Sequence, residues 1–506
     1  MKKILSLLIL ALPVLTFAQK KPVRNPPPKP VAPKQTIVNN ATNNADGYKI
    51  EITAKPYKNQ WIYLAYYFGG IKGLQDSAMV NNESKAIFKS NKPLPQGIYI
   101  VASPEKSILF EMLVGEKQTF QVISDASNLN DIQYLNSEEN KIFGEYSHFI
   151  APRAQKGEEA KKALAQDSLK QLPNRAQLES IITQNFKEIE DYRNQVIEKD
   201  EDALLSVIFK SMKETQLPEN LKHPSTRQDT INQYRYFKDH YWDNIDLMDG
   251  RLVRTPILEG KLKQYLNNYV SPEADSIIYE FNWMIALGRN DDEMFKYLIG
   301  YFVDNYVQPK IMGQDKVFLH VYERFIAGDN PKVNWLNEKQ KEAIQKRAYM
   351  LMANQIGAKA WDMNMVDVDN KARTLYNEKN DFTIVLFWDI HCGTCKAEIP
   401  VLDSFYQANW KKNRVGIYSV MINEDAVKEW PDYIAKNGKE WTHVHQTKAL
   451  KESEEKAGKP SFRQLYDIRS TPTIFLLDKD KNILTKNITL NDLNNVLQEK
   501  IKQLNK

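Results

Sequence analysis

The stretch FTIVLFWDIHCGTCKAEIP, residues 382–400, decides how the C-terminal part of this chain folds. Its first six residues are apolar except for Thr383, and such a run predicts a buried strand. Cys392 and Cys395 follow at the start of an amphipathic helical pattern, and they are the only two cysteines among 506 residues. Two thiols at this spacing can close and reopen a small disulfide ring. Because no other cysteine is available for a structural bridge, a redox-active pair would carry the chemistry of the chain.

The sequence around this stretch alternates predicted strands with predicted helices. The other elements are strands over residues 415–422, 473–477 and 483–486 and a last amphipathic helix with Leu490, Leu493, Leu497 and Ile501 on one face. Strands that alternate with helices are typical of a layered α/β domain. We therefore predict an α/β domain over residues 355–506.

The chain before this domain has two further patterns. From residue 47 to 126 apolar and polar residues alternate with a period near two, which predicts a small antiparallel β domain. From residue 127 to 354 the period becomes that of a helix, with Phe186 expected on an apolar face and helix starts expected at Ser271 and Asn290. The expected fold class is multidomain, with a small antiparallel β domain, an all-α middle domain and a C-terminal α/β domain.

The N-terminus predicts a signal peptide over residues 1–18. Lys2 and Lys3 precede an apolar stretch that is short for a membrane span, and cleavage is expected before Gln19. Residues 19–46 are rich in proline and lysine, which predicts an extended linker. Lipid attachment needs a cysteine at the cleavage point, and the first cysteine is Cys392. We therefore expect a soluble periplasmic or secreted protein that is not a lipoprotein.

Charge and cysteine usage narrow the function classes further. The formal net charge is +5, which is small for 506 residues and gives no support to nucleic-acid binding. Secreted chains that rely on disulfides for stability carry several of them in small domains. A long chain with only one cysteine pair must obtain its stability from packing, so the pair is free for function.

Residues 387–400 resemble the active-site segment of thioredoxin-like proteins, most closely the extracytoplasmic thiol-disulfide oxidoreductases related to TlpA and ResA. Thr471 and Pro472 match the Thr-Pro pair of that family, in which the proline is cis and faces the disulfide. The resemblance covers residues 355–506 and implies a thioredoxin-like fold there. The upstream β and helical regions look like accessory domains, whose function the resemblance does not define.

The resemblance implies roles for five residues. Cys392, at the helix N-terminus where an anion is favoured, is expected to be the nucleophile, and Cys395, one turn further on, the buried resolving thiol. Pro472 has no N–H, which leaves the backbone of Thr471 free to pair with an extended substrate. Trp388 is expected beside Thr471 on the substrate-binding face.

Two departures from thioredoxin bear on the chemistry. His391 stands where thioredoxins usually have tryptophan, and its imidazolium could stabilise a Cys392 thiolate or simply shape the substrate face. Leu386 stands where thioredoxins usually have a buried aspartate that carries protons for the resolving cysteine. Glu398 occupies the position of an active-site glutamate in ResA-like proteins and is our candidate for that task, the alternative being a solvated helix carboxylate.

The sequence thus predicts a thiol-disulfide oxidoreductase acting on protein thiols and disulfides, with the reductase or interchange direction favoured. Such a reductase would need an electron donor at the membrane, because the periplasm is kept oxidising. No cofactor and no metal are expected, and oligomeric state stays open. One alternative is a zinc or copper site in which His391, or His443 and His445 on an exposed strand face, join the two cysteines. The other is a periplasmic binding or scaffold protein with an auxiliary thioredoxin-like module.

Overall fold

The computed structural model describes residues 47–128, 131–166, 172–328 and 330–504. The predicted signal peptide and the whole predicted linker, which ends at residue 46, lie outside these residues. In the described ranges, no helix is both long and apolar enough to cross a membrane. The predicted fold class is confirmed: β sheets come first, helices follow and a mixed β/α domain ends the chain.

The chain divides into two compact units. The first ends at residue 269 and also takes in residues 288–297, whereas the second comprises residues 270–287 and everything from residue 298 onward. The helical middle of the sequence therefore contributes to both units. The domain boundaries drawn from the sequence stay predictions.

The first unit contains two four-stranded sheets, of order β4-β1-β7-β8 and β3-β2-β5-β6. The strands are β1 (Tyr48–Lys55), β2 (Trp61–Phe68), β3 (Ile71–Met79), β4 (Lys85–Ser90), β5 (Gly97–Ala102), β6 (Ile108–Val114), β7 (Thr119–Asp125) and β8 (Gln133–Leu135). Neighbouring strands are antiparallel except β1 and β7, which run parallel. Alternate side chains such as Ile50, Leu64 and Phe120 point to one side and form a shared core.

Five helices complete the first unit in chain order. They are α1 (Glu138–Gln166), α2 (Arg175–Lys199), α3 (Leu204–Ser211), α4 (Arg227–Asp239) and α5 (Ile257–Asn268), with short 3₁₀ turns at Glu219–Leu221 and Gly250–Arg254. Side chains of β5 and β6 pack on the apolar faces of α1 and α3 in a second core, to which Ile98 and Phe209 belong. The expectation for Phe186 is wrong, because this α2 side chain is 48% exposed.

Four more helices connect the β-rich region to the C-terminal domain. They are α6 (Ala274–Gly288), α7 (Asp292–Tyr306), α8 (Asp315–Val321) and α9 (Glu338–Met352), with a π turn at Tyr322–Ile326 and a 3₁₀ turn at Pro331–Val333. The cap predicted at Asn290 is wrong by one residue. Asp291 precedes α7 and accepts a hydrogen bond from the N–H of Met294 at 2.9 Å.

The C-terminal domain is built on a seven-stranded sheet of order β10-β9-β13-β12-β11-β14-β15. The strands are β9 (Asn364–Val366), β10 (Ala372–Thr374), β11 (Phe382–Trp388), β12 (Val415–Met421), β13 (Thr442–His445), β14 (Thr473–Asp478) and β15 (Ile483–Lys486). The three central neighbours β11, β12 and β13 are parallel, and β14 runs antiparallel to β11. This order places β11 inside the sheet, between β12 and β14.

Helices and turns cover both faces of this sheet. The helices are α10 (Gly393–Phe405), α11 (Trp430–Ile434), α12 (Lys448–Lys456), α13 (Phe462–Leu465) and α14 (Leu490–Leu504), and a π turn at Tyr406–Trp410 and a 3₁₀ turn at Lys411–Asn413 extend α10. One core contains Cys395, Trp410 and Leu493, and the other contains Phe387 and Tyr466. Because both faces are covered, every residue of β11 and β12 is buried.

Candidate active site

The cysteine pair lies where β11 ends and α10 begins. Cys392 is the N-cap residue of α10, with extended backbone angles (φ −78°, ψ 119°). Its Sγ accepts a hydrogen bond from the N–H of Cys395 at 3.2 Å, as the hydroxyl of a serine cap would. Both cysteines are free thiols. The helix N-terminus therefore directs backbone N–H groups at the sulfur of Cys392.

Cys392 is half-buried, and its thiol donates to the carbonyl oxygen of Thr471 at 3.3 Å. Burial by itself would raise the pKa of Cys392. Hydrogen bonds with the Cys395 and Thr471 side chains and with the N–H groups of Cys395 and Thr394 outweigh that effect and lower it. A reachable sulfur with a lowered pKa has the properties of an attacking thiolate.

Cys395 is fully buried in the core that covers one face of the sheet. Burial raises its pKa to about 12, and the hydrogen bond with Cys392 adds to the effect. At neutral pH this thiol therefore holds its proton. The two sulfurs differ in access and in acidity, although only two residues separate them in the chain.

The loop before β14 forms the opposite wall of the site. The Thr471–Pro472 peptide bond is cis. Just beyond it, the Thr473 hydroxyl donates to the carbonyl of Ser470 at 2.7 Å, which closes a turn. This turn presents the Thr471 carbonyl to the thiol of Cys392.

The expected substrate contact of Trp388 is wrong. Its side chain is 1% exposed, and its ring packs 5.3 Å from the ring of Tyr433. The reason is topological, because Trp388 ends the central strand β11, where helices cover both faces of the sheet. We assign Trp388 to the core that supports the site.

The imidazole of His391 is turned towards the loop after β12. Its Nε2 lies 3.2 Å from a carboxylate oxygen of Glu429, and its Nδ1 lies 3.4 Å from the amide nitrogen of Asn423. That amide also donates to the Asp389 carboxylate at 3.1 and 3.2 Å. The ring is therefore anchored to Glu429 and Asn423 rather than to the sulfur of Cys392.

Asn423 and Glu429 are site-wall residues that we did not predict. Nothing local marks them, since they lie in a polar segment 31 or more residues after Cys392 in the sequence. A signal was nevertheless available. Loops that follow neighbouring parallel strands meet at one edge of a sheet, and both residues follow β12, the parallel neighbour of β11.

Glu398 lies on α10 three residues after Cys395, a spacing that puts two side chains on the same helix face. Its side chain is half-buried, and burial raises the pKa of its carboxyl group. Leu386 is 1% exposed and belongs to the same core as Cys395. The carboxyl group nearest in sequence after Cys395 is thus partly dehydrated, which favours proton uptake.

His443 and His445 do not lie on an exposed strand face. Each is 7% exposed, because β13 is an interior strand between β9 and β12. The ring of Trp430 covers His445 at 5.3 Å, and burial lowers the pKa of His443 to about 4. Across the described ranges, no three His, Cys, Asp or Glu side chains are grouped so that they could hold a metal ion.

Comparisons with known proteins place two family models on the chain. Residues 170–354 match a model described as "Domain of unknown function (DUF5106)", and residues 380–483 match one described as "Thioredoxin-like". A "Thioredoxin-like protein" of Haemophilus influenzae is 26% identical over 113 residues, which cover 22% of this chain and 58% of that protein. The chain thus spans 58% of the length of this curated relative.

Solved structures resemble parts of the chain. A thioredoxin-like protein from Bacteroides caccae is 20% identical, with a TM-score of 0.43, and the match covers 56% of this chain and 97% of that one. A domain of a "possible thiol-disulfide isomerase" from Cytophaga hutchinsonii is 30% identical, with a TM-score of 0.25, over 30% of this chain and 95% of that one. The C-terminal domain that carries Cys392 and Cys395 is thus thioredoxin-like, since residues 380–483 match that model.

Proposed function

We propose that this protein is a thiol-disulfide oxidoreductase that exchanges disulfides with protein substrates through Cys392 and Cys395. The observation that carries the proposal is that the pKa values of the two thiols are shifted in opposite directions. The half-buried Cys392 has a lowered pKa, whereas the buried Cys395 has a pKa raised to about 12. Perturbed pKa values of opposite direction in adjacent groups are typical of a nucleophile and its partner.

In the reducing direction, the Cys392 thiolate attacks one sulfur of a substrate disulfide. A bond forms between Cys392 and that sulfur, the substrate disulfide breaks, and the other substrate sulfur leaves as a thiolate that takes a proton. The N–H of Cys395, 3.2 Å from the Cys392 sulfur, supports the attacking anion. The product is a mixed disulfide between Cys392 and the substrate.

Cys395 then resolves the mixed disulfide. It loses its proton and attacks the Cys392 sulfur, and the second substrate sulfur leaves as a thiolate. The two electrons of the dithiol have now passed to the substrate, and Cys392 and Cys395 form a disulfide. Because burial makes Cys395 a weak acid, this step needs a base, and we assign that task to Glu398, because burial raises the pKa of its carboxyl group and so favours proton uptake.

The compartment and direction belong to the same proposal. The N-terminal pattern supports export to the periplasm or beyond, and the resemblance of residues 387–400 to TlpA- and ResA-like proteins supports the reductase or interchange direction. A periplasmic reductant must be recharged, so the proposal includes a membrane electron donor.

The reduction potential of the pair tests the function. The full chain would be equilibrated in glutathione or dithiothreitol buffers, and the reduced fraction of Cys392 and Cys395 measured by alkylation and mass spectrometry. A value at or below about −250 mV supports a reductant, and a value of about −120 to −180 mV an oxidant or isomerase. Absence of a reversible two-electron couple would overturn the proposal.

A further inference from the structure

A buried ion pair links helix α9 to the segment that precedes the Thr471 turn. The guanidinium of Arg347, on α9, pairs with the carboxylate of Asp467. The two side chains are 10% and 9% exposed, so the pair is screened little by solvent. Arg347 also donates through Nε to the carbonyl of Val307 at 3.1 Å, which fixes its guanidinium from the helical side.

Asp467 occupies a conformation that needs support. Its φ is +48°, in the left-handed region that residues other than glycine rarely adopt. Its carboxylate also accepts a hydrogen bond from Arg469 Nε at 3.1 Å. Two cations therefore hold one carboxylate at a left-handed turn, and one of them comes from the chain 120 residues upstream.

A second contact from the same helical side reaches this segment. The Nδ2 of Asn354, just after α9, donates to the carbonyl of Leu465 at 3.1 Å. Arg347 and Asn354 thus bind two points of the chain at residues 465–467. From Asp467 only four residues lead to Thr471, whose carbonyl oxygen lies 3.3 Å from the Cys392 sulfur. A displacement of this segment therefore has a short covalent path to the thiol.

We propose that Arg347 is a positioning residue for thiol-disulfide exchange, which through Asp467 holds the Thr471 turn against Cys392. This inference rests on the proposed function and assigns a role to α9, which lies in the segment that matches a domain of unknown function. A hydrogen bond with the Thr471 side chain, which the same turn carries, is among the interactions that lower the pKa of Cys392. Loosening the turn therefore reduces the thiolate population and the reactivity of Cys392.

The same unit offers a matched control. Lys486, on β15, pairs with Asp315 of α8 at 2.6 Å and donates to the Asn354 side-chain oxygen at 2.7 Å. This pair is also buried, at 7% and 3% exposure, and also joins the helical segment to the thioredoxin-like domain. Lys486 lies on the edge strand β15, however, and β14 separates it from β11. Loss of Lys486 should cost stability but leaves the Arg347–Asp467 pair in place, and Asn354 keeps its Nδ2 hydrogen bonds to the carbonyls of Met350 and Leu465.

The test compares Arg347→Met with Lys486→Met in the full chain. We expect both to lower the melting temperature, because each removes a cation that contacts a buried carboxylate. Only Arg347→Met should slow the alkylation of Cys392 by iodoacetamide at pH 7, by about threefold or more, with the pH profile displaced upward. Arg347→Lys, which keeps the charge beside Asp467, should lie near the wild type.

Two outcomes would overturn the inference: equal alkylation rates in Arg347→Met and wild type, or equal slowing in Arg347→Met and Lys486→Met. Should Arg347→Met not fold, Asp467→Asn removes the other charge of the pair and must show the same slowing. Alkylation of Cys392 needs no substrate turnover. If the wild type shows no reversible redox couple, the proposed function is refuted. The positioning role of Arg347 is decided separately, by the alkylation rates.

Discussion

Glu111 on β6, in the β-rich region, and Cys395 on α10, in the thioredoxin-like domain, are both acidic groups with raised pKa values. Their hydrogen-bond partners differ in how far solvent reaches them. Burial raises the pKa of both, although a hydrogen bond from Tyr67 and the charge of Lys72 partly offset the effect at Glu111. The partner of Glu111, the Tyr67 hydroxyl, belongs to a side chain that is only 5% exposed. The partner of Cys395 is the half-buried Cys392, whose pKa is lowered.

The difference teaches that a raised pKa does not by itself mark a functional group. Solvent hardly reaches Tyr67, the partner of Glu111. The raised pKa of Glu111 therefore affects folding stability and not catalysis. The pKa of Cys395 is raised beside a solvent-accessible thiol whose pKa is lowered. Two neighbouring groups with opposite pKa shifts are typical of a reactive site. This contrast can be tested by changing each group and its partner.

The largest expected effect separates the two regions outright. Cys392→Ser should reduce disulfide exchange by at least about 10³-fold, because an alcohol cannot replace the attacking thiolate. Glu111→Gln should leave the exchange rate unchanged. Reduction of a model disulfide by the pre-reduced full chain measures both variants, and Cys395→Ser serves as the control, since it should still attack and then accumulate as a mixed disulfide. An active Cys392→Ser variant would refute the assignment of the nucleophile.

A smaller effect is expected from the proton acceptor of Cys395. Glu398→Gln should slow resolution of the mixed disulfide by roughly 10- to 100-fold near neutral pH, because the base is removed. Alkylation of Cys392 should hardly change. Stopped-flow measurement of substrate release across pH 5 to 9 would separate the two steps.

Asp403→Asn is the matched control for Glu398→Gln. Asp403 is a half-buried carboxylate on the same helix, eight residues beyond Cys395 and so about 12 Å further along the axis. If both variants left the pH profile of resolution as it is in the wild type, the role given to Glu398 would be wrong.

Glu111 should appear in the pH dependence of stability. Because the folded state raises its pKa above the ordinary value of 4.5, the folded protein binds this proton more tightly than the unfolded chain does. The stabilisation is complete below pH 4.5 and is lost as the pH rises through the folded pKa. We expect wild type to lose stability relative to Glu111→Gln over this range, because burial penalises the charged carboxylate.

Urea unfolding of wild type and Glu111→Gln between pH 4 and 8 measures this difference. Tyr67→Phe is a useful companion, because it removes the hydroxyl that favours the charged carboxylate and should steepen the loss. The corresponding contribution of Cys395 disappears only between its ordinary pKa of 9.0 and about 12, so the two groups act in separate pH windows. If the free energy of unfolding changed with pH in the same way in wild type and Glu111→Gln, protonation of Glu111 would not be coupled to folding.

Much of the fold could be predicted from the sequence, because its strongest patterns are local. The apolar run of β11, the cysteine helix and the spacing of Leu490, Leu493 and Leu497 each follow from neighbours in the chain. The strand β3 was not predicted. Most of its residues are exposed, so its sequence has no alternation of apolar and polar residues that would mark a strand. The three-residue strands β9 and β10 are likewise too short to display a period.

The walls of the site depend on contacts between distant residues, which no local pattern carries. Arg347 and Asp467 are 120 residues apart, and His391 and Glu429 are 38 apart. Burial misled the prediction in two ways. Trp388 was expected to bind substrate, and the two histidines of β13 were expected on one exposed strand face because they are two residues apart, yet interior strands bury such residues whatever their type.

The smallest effect is expected at His391. If the ring of His391 supports the Cys392 thiolate, His391→Ala slows the alkylation of Cys392. The contacts of the ring with Glu429 at 3.2 Å and Asn423 at 3.4 Å direct it to the loop after β12, and a nearby carboxylate offsets a positive charge. We therefore expect a change of less than about threefold in the alkylation rate at any pH. A tenfold loss would show instead that Cys392 owes its acidity to His391 and not to the helix N-terminus and Thr471.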